Sequence, residues 1–277
     1  MSEQRFDVWA AGESYERYMG RWSRPVADRF VAWLDAGGGP RWLDVGCGTG
    51  ALTATVAARY RPRVVLGLDR SHGFVASARA STPAPACFAV ADALALPVRD
   101  GRCDGVVSGL ALNFLPAPGA AVAEAARVVR PGGLVAAYVW DYSDGLAFLR
   151  LFWDAAATVD PAAAALHEGR RFPVCHPEPL RELWTGAGLR DVSVTAIEIP
   201  AVFAGFADLW EPFLTGQGPA PGYVATLTPL ARDRLRDELG RTVPGRADGS
   251  IGFTARAWAV KGRRPARAGA GDRRSRA

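Results

Sequence analysis

The stretch Trp42-Leu43-Asp44-Val45-Gly46-Cys47-Gly48-Thr49-Gly50 sets a carboxylate and three glycines side by side, just after a short apolar run and just before a helical one. Glycines at such a turn let the backbone come close to a ligand, and a helix N-terminus offers free N–H donors. Asp44 could hold a ligand ammonium there, directly or through water. Asp69 closes the next apolar run, with Arg70 beside it, and a carboxylate at that point can accept both hydrogen bonds of a ribose diol. Asp92 closes the third run, in Val90-Ala91-Asp92-Ala93, where it could accept from the exocyclic amine of adenine. The three carboxylates together describe a ligand with an amino-acid end, a ribose and an adenine. The glycines alone leave the question open, because Gly46-x-Gly48-x-x-Ala51 also satisfies the dinucleotide fingerprint of a nicotinamide-dependent oxidoreductase. Gly50 and Asp92 are not needed by that fingerprint. A noncatalytic binding module is the third possibility.

The residues that position these groups alternate short apolar runs with helical stretches. Strands are expected at Arg41–Val45, Val64–Asp69, Cys87–Asp92, Cys103–Gly109 and Leu134–Asp141. Helices are expected at Ala51–Tyr60, Gly73–Ala80 and Ala120–Val129, the last stopped by Pro131-Gly132-Gly133. This alternation reads as an α/β fold with a doubly wound, mostly parallel sheet. Upstream, Tyr15, Tyr18, Met19 and Trp22, then Val26, Phe30, Trp33 and Leu34, follow helical spacing, as two helices or as one broken at Pro25. Downstream, helices are expected at Gly145–Val159, around Leu180–Ala187 and from Thr228-Pro229 to near Gly240, with strands at Asp191–Pro200 and Ser250–Val260. Two insertions, 142–176 and 201–249, interrupt the pattern, and with the N-terminal helical segment 13–36 they are expected to cover the carboxyl edge of the sheet. Tyr18 and Arg21 could then close over a cofactor. The aromatics Phe203, Phe206, Trp210, Phe213 and Tyr223 could form an apolar lid for a planar acceptor.

Composition narrows the partners. About half the residues are apolar, enough for a full core at 277 residues. The net charge of +5 belongs entirely to residues 263–277, read as a disordered basic tail with six arginines against Asp272. The remainder is formally neutral and reads as one domain, 1–262, with its core at about 40–141, 177–200 and 250–262. No apolar run is long enough to span a bilayer and no secretory signal opens the chain, so a cytoplasmic protein without a membrane partner is expected. Cys47, Cys87, Cys103 and Cys175 form no Cys-x-x-Cys pair, and His167, Cys175 and His176 lack zinc-site spacing. The cysteines read as small buried residues, and no metal site is expected.

The chain resembles the class I S-adenosylmethionine-dependent methyltransferases, and in particular the small-molecule branch that includes quinone C-methyltransferases. Asp44–Gly50 matches the first motif of that family, Leu68-Asp69 the second and Ala91-Asp92-Ala93 the third. Asp104–Ser108 matches the fourth strand, and Val129–Gly133 the turn before the fifth. The resemblance implies a seven-stranded Rossmann-like sheet, with Ser250–Val260 as an antiparallel insertion. It implies that S-adenosylmethionine is the cofactor. Gly46, Gly48 and Gly50 would lie at its methionine part, Asp69 at the ribose, and Asp92 with the Ala93 amide at the adenine. Ser108, Gly109 and Leu110 would face the methyl-transfer pocket.

Methyl transfer from a sulfonium needs alignment and dryness more than a catalytic side chain. The catalytic residues therefore stay unassigned, with Asp141, Tyr142, His167, His176 and Glu211 as candidate bases. The acceptor is expected to be a small, apolar or aromatic metabolite methylated at O, N or C. After the fourth strand the chain reads Ser108-Gly109-Leu110-Ala111-Leu112-Asn113-Phe114, which is not the Asn/Asp-Pro-Pro-aromatic motif of base-amine methylation, so no specific nucleic acid is expected.

Overall fold

The computed structural model describes residues 16–216 and 218–266. The readings placed on residues 13–15 and on 267–277, which include Tyr15 and the arginines from Arg267 onward, lie outside the described residues. The chain enters through a π-helical turn, Glu16–Gly20, that runs directly into α1 (Arg21–Leu34). Pro25 does not split this helix. It stands inside the helix, which runs through it to Leu34. Trp22, Val26, Phe30 and Leu34 line the buried stripe.

Then follow β1 (Arg41–Val45), α2 (Ala51–Tyr60), β2 (Val64–Asp69), α3 (His72–Ser81), β3 (Ala86–Val90) and β4 (Cys103–Gly109). Next come α4 (Pro118–Val128), β5 (Val129–Trp140), α5 (Ala147–Val159), the short α6 (Glu168–Arg171) and α7 (Pro177–Gly186). β6 (Arg190–Phe203), α8 (Phe206–Trp210), α9 (Pro219–Val224), α10 (Pro229–Thr242) and β7 (Ile251–Arg263) complete the order. The seven strands lie in the order β3-β2-β1-β4-β5-β7-β6. β7 is antiparallel to both of its neighbours, and the other pairings are parallel.

Helices cover both faces. Lys261 on β7 reaches up to α1, where its Nζ donates to the carbonyls of Trp33 (2.9 Å) and Leu34 (3.1 Å). Placed there, the ammonium satisfies the open end of the helix and meets its negative dipole. The next residue, Gly262, points to the opposite face, where a Cβ would meet Trp184 of α7. Trp184 in turn donates its indole N–H to the Val135 carbonyl.

Three of the boundaries that differ from the sequence reading change what the elements do. β3 stops at Val90, so Asp92 stands in the turn beyond the strand rather than at its end. Pro131-Gly132-Gly133 lies within β5, not before it. The register jumps there from Cys103↔Val129 to Gly105↔Leu134, and positive φ at Gly132 (75°) absorbs the extra residues as a bulge. β7 continues through Arg263, and Arg264 donates to the carbonyls of Arg127 and Val129, so the first two residues of the expected disordered tail are ordered.

The insertions pack on each other. Beyond the end of β5 and a single bridge from Leu146 to Ala255, the β6–β7 pair carries on, joining Ile199 with Ala255 through to Phe203 with Ile251. On this arm Phe148, Phe152 and Trp153 of α5 meet Phe203, Phe213 and Tyr223, with Phe152 and Phe213 stacked at 4.3 Å. These rings form the core of a second lobe.

Candidate cofactor site

A cavity of about 350 Å³ opens at the carboxyl ends of β1, β2 and β4. Its floor is the glycine loop, held in place by β2. The amides of Gly46 and Cys47 donate to the Leu68 carbonyl at 2.7 and 3.0 Å. Gly46 has φ 74°, and a Cβ on it would collide with that of Ala111. Gly48 has nothing within 4 Å of where a Cβ would stand, so its open side is space.

Asp69 organises the next wall. Its Oδ2 accepts from the Gly48 amide at 3.0 Å and its Oδ1 from the Ser71 amide at 2.8 Å. Each oxygen keeps a further lone pair for a ligand hydroxyl. Arg70 lines the same rim. Asp92 and Ala93 line the cavity from the turn after β3, with Asp92 Oδ1 accepting from the Leu94 amide at 2.9 Å. Gly109 and Leu110 form the wall at the end of β4. Leu110 has φ 59°, a strained conformation for a leucine, and its amide donates to the Tyr138 carbonyl at 2.8 Å. A Cβ at Gly109 would stand 2.6 Å from the Tyr138 hydroxyl oxygen.

Five of the expected cofactor residues stand off this cavity. Gly50 caps α2 with φ 91° but faces Ala78, Thr82 and Phe88. Asp44 is fully buried behind the loop, where the Thr53 hydroxyl donates to it at 2.6 Å. Burial pushes its carboxyl up to about 7; the Thr53 bond opposes this, and the charge of Asp69 adds to it. Ser108 points into a small apolar void between β4, β5 and α4. Tyr18 packs edge-on against Phe213, and burial next to Glu168 raises its hydroxyl pKa well above the ordinary value. Arg21 pairs with Asp208 at 2.7 Å and lies over the rings of Trp22 and Phe203. Both residues tie α1 to the second lobe instead of closing over the cavity.

The aromatics read as a lid are likewise inside the lobe, and none of them lines the cavity. The candidate bases are occupied in building the insertions. Asp141 pairs with Arg256 at 2.7 Å and accepts from the Ser143 and Asp144 amides. His176 Nε2 lies 3.1 Å from Ser143 Oγ. His167 Nδ1 accepts from the Gly169 amide, and burial lowers its pKa. Tyr142 packs on Phe172, and Glu211 opens a 3₁₀ turn. Cys47, Cys103 and Cys175 are buried free thiols, whereas Cys87 on the edge strand β3 is exposed.

Sequence reasoning missed part of the wall. Ser23 comes from α1, Phe74 from α3, Phe114-Leu115-Pro116 from the turn after β4, and Tyr138 from β5. Phe114 meets Phe172 of the first insertion edge-on at 5.2 Å. Its position four residues after Leu110 was the available signal, whereas Ser23 and Tyr138 reach the cavity only through tertiary packing.

This architecture, with β7 inserted antiparallel between β5 and β6 and a glycine loop after β1, is the class I S-adenosylmethionine-dependent methyltransferase fold. Residues 43–137, which include most of β1, all of β2 to β4 and most of β5, match the family model described as a methyltransferase domain. A malonyl-[acyl-carrier protein] O-methyltransferase of Marinomonas sp. is 35% identical over 134 residues, 48% of each chain. A trans-aconitate 2-methyltransferase of Deinococcus radiodurans is 32% identical over 176 residues, 61% of this chain and 66% of that one. The chain thus spans about half the length of the first of these curated relatives. Among solved structures, a phosphoethanolamine N-methyltransferase of Haemonchus contortus in complex with S-adenosyl-L-methionine superposes with a TM-score of 0.55 at 18% identity. That match covers 92% of this chain and 56% of the other.

Proposed function

We propose that this protein transfers a methyl group from S-adenosylmethionine to an O, N or C atom of a small apolar or aromatic metabolite. The observation that carries the reading is one cavity that gathers the open loop at Gly46 and Gly48, the doubly anchored Asp69, and Asp92 with Ala93. Those groups fit the three parts of the cofactor. The glycine loop takes the methionine end, Asp69 accepts from the ribose diol, and Asp92 accepts from the adenine amine. Gly109, Leu110, Phe114 and Tyr138 face the acceptor. The names of the relatives, both methyltransferases, support the methyl-transfer part of this reading.

When bound, the cofactor supplies a methyl already activated as a sulfonium. The residues around it bind, orient and exclude water. Phe114, backed by Phe172, and Leu115 give the acceptor wall an apolar surface, and the Tyr138 hydroxyl is a polar handle on it. The candidate bases stand off the cavity, in keeping with a transfer driven by alignment. No described helix is long and apolar enough to cross a membrane. We place the protein in the cytoplasm, a reading that the buried free thiols support. The acceptor is a small molecule and not a nucleic acid.

Isothermal titration of the purified protein with S-adenosylhomocysteine, with NAD as control, tests this. S-adenosylhomocysteine is expected to bind in the micromolar range and NAD not at all. Binding of NAD alone would replace the reading with a hydride-transfer enzyme on the same sheet.

A further inference from the structure

Among the described residues, Asp44 is a buried acid without a counterion. Its Oδ2 takes the Thr53 hydroxyl at 2.6 Å, and its Oδ1 is buried with no partner. The elements packed around it bring no cation. β2 presents another carboxylate, Asp69, at its end. The loop presents the Cys47 thiol, whose pKa is itself raised by burial and by both acids. α2 presents the neutral Thr53. β4 runs alongside with Val107, and its own acid, Asp104, is held at the other end of the strand by Arg41 and Arg130. α1, which packs on α2, brings the hydroxyl of Ser23 to the cavity. A bare carboxylate in such a place is unfavourable unless it keeps a proton or gains a positive neighbour.

Both solutions are at hand. Burial pushes the Asp44 carboxyl up to about 7, so near neutrality it holds a proton much of the time. Two residues further on, Gly46 borders the place where the amino-acid end of the cofactor would lie. We propose that Asp44 carries a proton in the ligand-free protein and releases it to solvent when the α-ammonium of the cofactor docks at the glycine loop, so that cofactor binding is coupled to proton release. This inference rests on the cofactor reading above. Its consequence is a cofactor site that weakens as pH falls below neutrality. Affinity should improve about fivefold from about pH 6 to about pH 7, because ionised Asp44 is the form that binds. Above about pH 8 the ligand amine loses its own proton and the gain ends.

The test is calorimetry on the full chain in phosphate and in Tris, whose ionisation heats differ, from about pH 6 to about pH 8.5. S-adenosylhomocysteine is expected to bind with a buffer-dependent heat that corresponds to close to one proton released at the acid end, falling through none and turning to net uptake at the alkaline end, where the ligand amine must regain its proton. Methylthioadenosine, which keeps the adenosine and lacks the amino-acid end, should bind with a buffer-independent heat. Asp44→Asn should remove the proton release for S-adenosylhomocysteine and leave methylthioadenosine binding as it is. S-adenosylhomocysteine that binds wild type with the same affinity and the same heat at every pH and in both buffers would overturn the coupling while the cofactor reading stands. Failure of both ligands to bind at any pH would overturn the cofactor reading and the coupling with it.

Discussion

Asp69 serves two backbone amides before any ligand arrives, and so its geometry is set in advance. The Gly48 and Ser71 amides hold one oxygen each, which leaves the carboxylate little freedom to lose when a diol binds. Asp69→Ala is expected to weaken S-adenosylhomocysteine binding by roughly 1.5–3 kcal/mol, the cost of losing hydrogen bonds to a charged group. An unchanged dissociation constant in calorimetry would remove the ribose assignment. Asp44 makes a separate prediction for the protein without ligand. Its folded-state pKa is raised, from 3.8 to about 7, so the folded chain keeps a proton that the unfolded chain has already lost. Its contribution to stability therefore declines as pH rises through that window and levels off above it. Asp104, Glu124 and Asp208 slope the other way, since paired arginines hold their pKa values low. Asp44→Asn isolates the effect: urea unfolding should show the variant gaining on wild type between about pH 5 and about pH 7.5. A constant difference across that range would show that Asp44 is already ionised.

The loop between β1 and α2 works as a unit because two of its amides are committed to β2 and its turn demands positive φ. Gly46→Ala would strain the backbone and drive a methyl into Ala111, and only the loop can move to relieve it. S-adenosylhomocysteine affinity should fall more than about tenfold while far-ultraviolet circular dichroism stays that of the wild type. Elements of this kind are legible in sequence because a glycine turn after a short apolar run lets the backbone approach a ligand, and the parallel strands read as near-continuous apolar runs. Asp92 lines the cavity although its strand ends two residues earlier, since the turn that follows presents it there. Pro131-Gly132-Gly133 misled because the residues that break a strand are also those that build a bulge within one. Tyr18 and Arg21 stand off the cavity for another reason. Helical spacing shows which residues face inward, but not which neighbour they will meet, and α1 meets the second lobe as well as the sheet.

The two insertions, distant in sequence, form one lobe on the projecting β6–β7 arm. Its cohesion rests on rings that sequence alone could assign equally to a lid or to a core. Phe213 decides between them, since it stacks on Phe152, meets Tyr18 and Trp210, and is 1% exposed. Phe213→Ala should therefore cost roughly 3–5 kcal/mol of stability in chemical denaturation. S-adenosylhomocysteine affinity measured well below the melting temperature should be unchanged. A ring that acted as a lid over the ligand would give the reverse pattern, a stable protein with weakened binding.

The position of β7 bears on how the molecule is made. Synthesis runs from the N-terminus, so six strands emerge before the one that must slot between β5 and β6. Until Ile251–Arg263 has emerged, β6 has no strand partner and the far edge of β5 is open. The aromatic lobe, for its part, has no arm to stand on. From the completion of β6 until β7 emerges, the nascent chain must hold two unpaired edges and a cluster of exposed rings in check, a state prone to edge-to-edge association. Closure of the sheet is thus a late, all-at-once event in the birth of this protein, and folding yield should depend on how fast the last strand follows the lobe that needs it.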